Sequence, residues 1–273
     1  MKKHIAFAAG AIATLALTGS TMAADMPAPV YRKAPPPIMQ VYSWTGFYIG
    51  LNGGYSWGRS TTTGSLFNAT TGALLATATN KFNLNGGVFG GQAGYNWQSG
   101  NFVFGVEGDI QWSGERGNTA FTCNLAACLP TAIAPGGVLA DTVTLRQKID
   151  WFGTFRGRLG MTVTPTVLLY ATGGLAYGDV KSAGTLSGFN ANGAVVGPAA
   201  FSTSSAHAGW TVGAGIEGQL VGNWTGKLEY LYMDLGTFTG TGVLPAPAFP
   251  PLRATFSSRI TDQVLRAGIN YRF

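Results

Sequence analysis

The stretch DQVLRAGINYRF, residues 262–273, closes the chain on a two-residue rhythm. Counting back from Phe273, positions Tyr271, Ile269, Ala267 and Leu265 are apolar or aromatic, whereas Arg272, Asn270, Arg266 and Asp262 are polar or charged. A period of two describes a strand with unlike faces. One face carries several charges and the other almost none, so the two faces must meet different surroundings.

Seven further stretches share this character, at residues 44–57, 83–97, 101–112, 145–161, 166–178, 208–220 and 224–235, with the eighth at 260–273. Each is long enough to cross a bilayer as a tilted strand, for which roughly 9 to 11 residues suffice. The connections alternate strictly. QSG, TVTP and VGN are tight turns, while the segments 58–82, 113–144, 179–207 and 236–259 are long and rich in small and polar residues. Short turns at one end and long loops at the other are the habit of an outer-membrane barrel. The expected fold is therefore all-β, an eight-stranded antiparallel transmembrane barrel with short periplasmic turns and four long outer loops.

The phase of the strands assigns their faces. Phe102, Phe104, Val106 and Ile110 oppose Glu107, Asp109 and Gln111; Trp210, Val212, Ala214, Ile216 and Leu220 oppose Thr211, Glu217 and Gln219; Leu228, Tyr230 and Tyr232 oppose Lys227 and Glu229. In the fourth stretch Leu145, Ile149, Trp151, Phe155 and Leu159 oppose Arg146, Lys148, Asp150, Arg156 and Arg158. The apolar face is assigned to lipid and the charged face to the lumen. That places Glu107, Asp109, Asp150, Glu217, Glu229 and Asp262 against Arg146, Lys148, Arg156, Arg158, Lys227, Arg266 and Arg272, a nearly balanced set able to satisfy itself by ion pairing. Aromatic residues near strand ends, among them Trp44, Phe47, Tyr55, Trp57, Tyr95, Trp97, Trp112, Tyr177, Trp224, Tyr271 and Phe273, are expected to form two interfacial girdles.

Composition agrees with a sheet that curls in lipid. Only 10% of residues are charged, against the quarter usual in soluble proteins, while 46% are hydrophobic and 41 are glycine without a triplet period. Beyond the first 24 residues the apolar runs are short and interrupted, so no membrane helix of about 20 apolar residues can be drawn. The start reads as export: MKKH is basic, IAFAAGAIATLALTG apolar, and STMAAD supplies small residues for cleavage after Ala23. This divides the chain into a signal peptide at 1–23, a proline-rich periplasmic leader at 24–43 with Pro35, Pro36 and Pro37 favouring an extended backbone, and a barrel at 44–273. Removing Lys2 and Lys3 lowers the formal charge from +6 to +4, an excess that needs no nucleic acid to explain it. Cys123 and Cys128, the only cysteines, are separated by four intervening residues in CNLAAC, and in an oxidising compartment they are expected to form a local disulfide.

Other chemistries find little support. The glycine clusters lack a GxGxxG arrangement between a strand and a helix, and no GKS or GKT triplet occurs, so nucleotide binding is not expected. His207 is the only histidine of the mature sequence, no credible nucleophile motif of the GxSxG kind is present, since GYSWG at 54–58 lies on a strand-like stretch, and Ser204 and Ser205 beside His207 are ordinary loop serines. No enzymatic activity, catalytic residue, metal or cofactor is expected. His207, Met233 or a loop tyrosine could be proposed as haem ligands, yet they form no paired constellation.

The signal peptide ending MAAD, the YRKAPPP leader, and the blocks YSWTGFYIGLNGGYSWG, FVFGVEGDIQWS, WFGTFRGRLG, LLYATGGLAYGDV, GWTVGAGIEG and LRAGINYRF, taken in order, resemble the porin-like outer-membrane family of alphaproteobacteria that includes Omp25, Omp31 and RopB. The resemblance covers nearly the whole chain and implies an abundant eight-stranded surface protein in the outer membrane of a Gram-negative bacterium. It implies association with envelope integrity, surface interaction and sometimes haem, and it makes Phe273 similar to the terminal aromatic read by the barrel-assembly machinery. It transfers no catalytic residue. Expected partners are outer-membrane lipid and lipopolysaccharide, the assembly machinery through the C-terminal strand, and peptidoglycan or host-surface contacts, with no nucleic acid. A structural and surface-interaction role is favoured over a narrow small-solute channel, because water-filled pores use 16 to 18 strands.

Overall fold

The computed structural model describes residues 42–123, 141–189, 195–243 and 252–273. The signal peptide, the leader up to residue 41 and Cys128 lie outside the described residues. Cys123 is the last residue of its strand, and the expected disulfide is therefore not described.

Eight strands form one closed antiparallel ring in sequence order: β1 (Gly46–Asn68), β2 (Leu74–Ser99), β3 (Phe102–Cys123), β4 (Asp141–Thr164), β5 (Val167–Phe189), β6 (Val195–Val221), β7 (Trp224–Val243) and β8 (Leu252–Arg272). β8 pairs with β1, and the closure ends with the Phe273 amide donating to the Phe47 carbonyl at 3.0 Å. Followed pair by pair around the ring, the register leaves Phe47 and passes Tyr95, Val106, Gly157, Gly173, Val212, Tyr232 and Gln263. It returns to β1 at Trp57, ten residues beyond its start. That stagger corresponds to strands tilted by roughly 40° and to a cylinder only wide enough for side chains.

The outer wall carries a clear apolar band. On β1 it runs from Phe47 through Ile49, Leu51 and Tyr55 to Trp57, and on β3 from Phe102 to Trp112, all exposed. Eleven residues at this tilt rise about 25 Å, the height of an outer-membrane hydrocarbon band. Ring contacts mark its two edges. Tyr55–Trp57 and Trp210–Tyr232 lie at the loop end, while Trp224–Tyr271, Tyr271–Phe273 and Phe47–Phe273 lie at the turn end.

Two expectations need correction. The long connections are in large part strand: β1 and β2 continue to Asn68 and back from Leu74, joined at Asn68–Ala73 by backbone hydrogen bonds. These extensions are made of Thr, Ser, Ala and Gly and stand above the lipid band. Both their faces can be polar there, so the alternation that marks a crossing strand is missing. Trp44, expected in a girdle, is instead fully buried inside the turn-end mouth. Its indole Nε1 donates to the Pro165 carbonyl at 3.1 Å and its amide to Gln98 Oε1 at 2.7 Å. Tyr42, within the stretch read as leader, packs edge-on against it.

The narrow interior leaves no spare room. Tyr48 and Tyr170 each lay an inward ring over a glycine of a neighbouring strand, Gly94 and Gly215, where an added Cβ would sit 2.4 and 2.5 Å from the phenol oxygen. Replacing Gly94 with Val is expected to push Tyr48 off its site and destabilise the barrel by about 1–3 kcal/mol, the usual cost of overpacking. Urea unfolding of the protein in lipid vesicles would check this, and an unchanged midpoint would show that the wall can yield.

Candidate functional site: the lumen

Above the Trp44 plug the lumen holds a compact ionic cluster. Glu107 from β3 receives Arg156 of β4, Lys227 Nζ of β7 at 3.1 Å and the Tyr48 hydroxyl of β1 at 2.7 Å. Asp109 Oδ2 accepts from Arg156 Nη2 at 2.9 Å, Arg266 Nη2 at 3.0 Å and the Thr154 hydroxyl at 2.6 Å. Glu229 receives Arg156 Nη1 at 3.1 Å on one oxygen and Arg266 Nε at 2.8 Å on the other, with the Tyr170 hydroxyl donating at 3.0 Å. At the turn end, Arg158 Nη2 donates to Glu217 at 2.7 Å while its guanidinium lies 3.8 Å from the centroid of the Tyr170 ring. Thr225 and Asn270 satisfy the other Glu217 oxygen.

Four carboxylates thus face four cations, all of them buried. Desolvating any one of these groups alone would be costly, and their mutual attraction, shared with hydroxyls and amides, offsets that cost. The strands explain how they converge. Glu107 and Asp109, Arg156 and Arg158, and Lys227 and Glu229 are i, i+2 pairs, which a strand places on the same face.

The remaining members of the expected lumen set lie elsewhere. Arg272 is inside the turn-end mouth, with its guanidinium over the rings of Tyr42 and Trp44 and Nη2 donating to the Thr45 carbonyl at 3.2 Å. Asp262 points inward but stands apart from the ionic cluster, beside Glu115, and accepts from Ser56 at 2.5 Å. Arg146, Lys148 and Asp150 do not face the lumen. The ladder from β4 to β5 shifts register between Ile149 and Trp151, so that one extra residue reverses the alternation. Beyond it Ile149 and Gln147 turn inward, and Arg146, Lys148 and Asp150 take the outer wall.

The same device hid Glu115. A second register shift between Trp112 and Glu115 turns this side chain inward, where Ser113 donates to it at 3.1 Å. Sequence reading also missed a layer of apolar side chains between the ionic cluster and the loop end. Val88, Phe152, Leu231, Met233, Ile260 and Val264 are all buried in it. Val264 was visible as an apolar residue in the polar phase of the last strand, and it was the available signal.

The residues considered for other chemistry are not brought together. Met233 is sealed in the apolar layer, whereas the His207 ring packs on Phe238. The Ser204 hydroxyl donates to Asp179 at 2.9 Å rather than to His207.

A closed ring with an apolar girdled exterior and a lumen crossed by a charge-balanced ionic cluster defines a transmembrane β-barrel of the outer-membrane class. Residues 11–273 match the family model described as outer membrane protein beta-barrel domain, and the chain belongs to that family. It is 36% identical to the 31 kDa outer-membrane immunogenic protein of Brucella melitensis biotype 1 over 98% of each chain. It is 32% identical to the 22 kDa outer membrane protein of Rhizobium leguminosarum bv. viciae, covering 72% of this chain and 67% of that one. The 25 kDa outer-membrane immunogenic protein of Brucella abortus biovar 1 is 27% identical over 88% of this chain and 84% of that one. Among solved structures, Neisserial surface protein A aligns at 12% identity and a TM-score of 0.31, covering 81% of this chain and 99% of that one. The protein resides in the outer membrane of a Gram-negative cell.

Replacing Arg156 with Ala leaves Glu107, Asp109 and Glu229 short of one counter-charge and is expected to destabilise the barrel by about 3–5 kcal/mol. Arg146→Ala on the wetted outer wall should cost less than about 0.5 kcal/mol. Equilibrium unfolding of both variants in the same vesicles distinguishes the two environments.

Proposed function

We propose that the protein is a structural and surface-interaction barrel that supports the envelope rather than a conduit. The observation that carries this reading is the stacking of three different obstructions along one narrow lumen. Trp44 and Tyr42 sit in the turn-end mouth, the ionic cluster lies above them, and the apolar layer stands above that. A hydrated solute would have to separate buried ion pairs and then pass side chains that offer no hydrogen bonds. The strand extensions rise beyond the lipid band as a framework for the outer surface, the part best placed to meet a peptidoglycan-free exterior such as a host surface. The C-terminal strand, with Phe273 against Phe47 and Tyr271, has the exposed aromatic end suited to recognition by the barrel-assembly machinery.

Planar bilayers containing the purified protein provide the test. The barrel is expected to give no reproducible unitary currents above leak controls, with or without Trp44→Ala, because removing the plug leaves the two upper obstructions in place. Stable unitary conductance in the wild type, altered in size by Arg156→Ala, would instead establish a narrow channel through the ionic cluster.

A further inference from the structure

The outer wall just above the loop-end girdle is not electrically uniform. On the β4–β5 side the two lysines are already neutralised within the protein. Lys148 and Lys181 both bond Asp150, the latter at 2.7 Å, and Lys181 also lies 3.8 Å from Asp179. Hydrogen bonds from Lys148 and then Lys181 hold the Asp150 carboxyl below its ordinary range. On β8, Arg259 is paired with Asp234 at 2.5 Å.

The β1–β3 side differs. Arg59, Lys81 and Arg116 are exposed, and none has a carboxylate partner among the described residues. Arg59 is two residues beyond Trp57 on the same outward phase, and Arg116 follows Trp112 across the bulge. Arg59 pairs with Asn83, which places Lys81 on its diagonal, and Arg116 pairs with Asn85. With strands about 4.8 Å apart and a rise of about 3.3 Å per residue, the Cα atom of Arg59 lies about 8 Å from that of Lys81 and about 12 Å from that of Arg116, with Lys81 and Arg116 about 14 Å apart, spans that their long side chains can close. Between them the outward residues Asn83 and Asn85 are exposed neutral donors.

We propose that Arg59, Lys81 and Arg116 form a binding site for the phosphate groups of an outer-leaflet glycolipid. Height, charge and chemistry agree on this occupant. Side chains immediately above an aromatic girdle lie at headgroup level, where the arginine forks can take phosphate oxygens bidentately and the lysine adds a point charge. Acyl chains of the same lipid would lie down the wall over Tyr55, Leu51 and Phe89, which are exposed directly beneath. The inference goes beyond the scaffold reading and rests only on residence in the outer membrane. A conducting barrel could carry the same site, so bilayer currents do not bear on it.

Native mass spectrometry of the folded protein, released from nanodiscs containing diphosphoryl lipid A, provides the test. The wild type is expected to retain diphosphoryl lipid A at least ten-fold better than its dephosphorylated counterpart. The triple variant Arg59→Gln, Lys81→Gln, Arg116→Gln should lose that preference, and Lys181→Gln with Arg253→Gln, on exposed side chains away from the site, should keep it. All five side chains are solvent-facing, and heat-dependent gel migration checks that each variant is folded. Equal retention of the two lipids by the wild type, or an unchanged preference in the folded triple variant, overturns the proposal. If the triple variant fails to fold, the wild-type comparison repeated at rising salt decides alone: a phosphate preference that fades with ionic strength supports the site, and one insensitive to it does not.

Discussion

Arg156 reaches Glu107, Asp109 and Glu229 at once, binding β4 to β3 beside it and to β7 across the lumen. The rest of the interior is arranged around this shared guanidinium. An eight-stranded ring cannot open enough to hydrate its own inward charges, so each must find a protein partner. The partners come from separate strands: Lys227 from β7, Arg266 from β8 and Tyr48 from β1. Backbone hydrogen bonds close the wall, and the ionic cluster ties the wall to itself across its axis. An arrangement of this kind adds specificity because a strand shifted by one residue would turn its charges into lipid.

The layering of the lumen follows from what surrounds it. Within the lipid band the outer wall must be apolar, leaving polar residues only the inner phase, and the ionic cluster occupies the turn-end half of that space. Nearer the loop end the two bulges release β3 and β4 from strict alternation. There the phases exchange, so that Ile149 enters the lumen and joins Leu84, Val180 and Ile260 in a dry layer. The basic residues displaced by the same exchange arrive on the outer wall at headgroup level. The two bulges therefore both add to the inner apolar layer and place charge on the outside.

This also explains how much was legible in the sequence. Strand number, order and the lipid-facing phase could be read because a crossing strand has only one apolar face, as in Phe102–Trp112 and Leu265–Tyr271. The paired carboxylates and arginines of β3, β4 and β7 could be read for the same reason. The exchange at Ile149 and the inward turn of Glu115 could not, since a bulge adds a residue without a composition signal. Nor could Trp44 be distinguished from a girdle tryptophan: its position at a strand end suits either role, and only Gln98 of β2 and Pro165 of the β4–β5 turn draw it inside. Strand extensions built from Thr, Ser and Gly read as loops because water on both faces removes the alternation.

The most direct measurement of the central claim is a double-mutant cycle between Arg156 and Glu229, 3.1 Å apart and drawn from β4 and β7. Unfolding free energies of Arg156→Ala, Glu229→Ala and the double variant in lipid vesicles yield the coupling between them. A shared buried cluster calls for a coupling of at least about 1.5 kcal/mol, with the double variant less damaged than the two single losses together. Losses that add to within about 0.5 kcal/mol would mean that water, rather than the opposing side chains, neutralises these charges, and the account of a filled and self-paired lumen would be wrong.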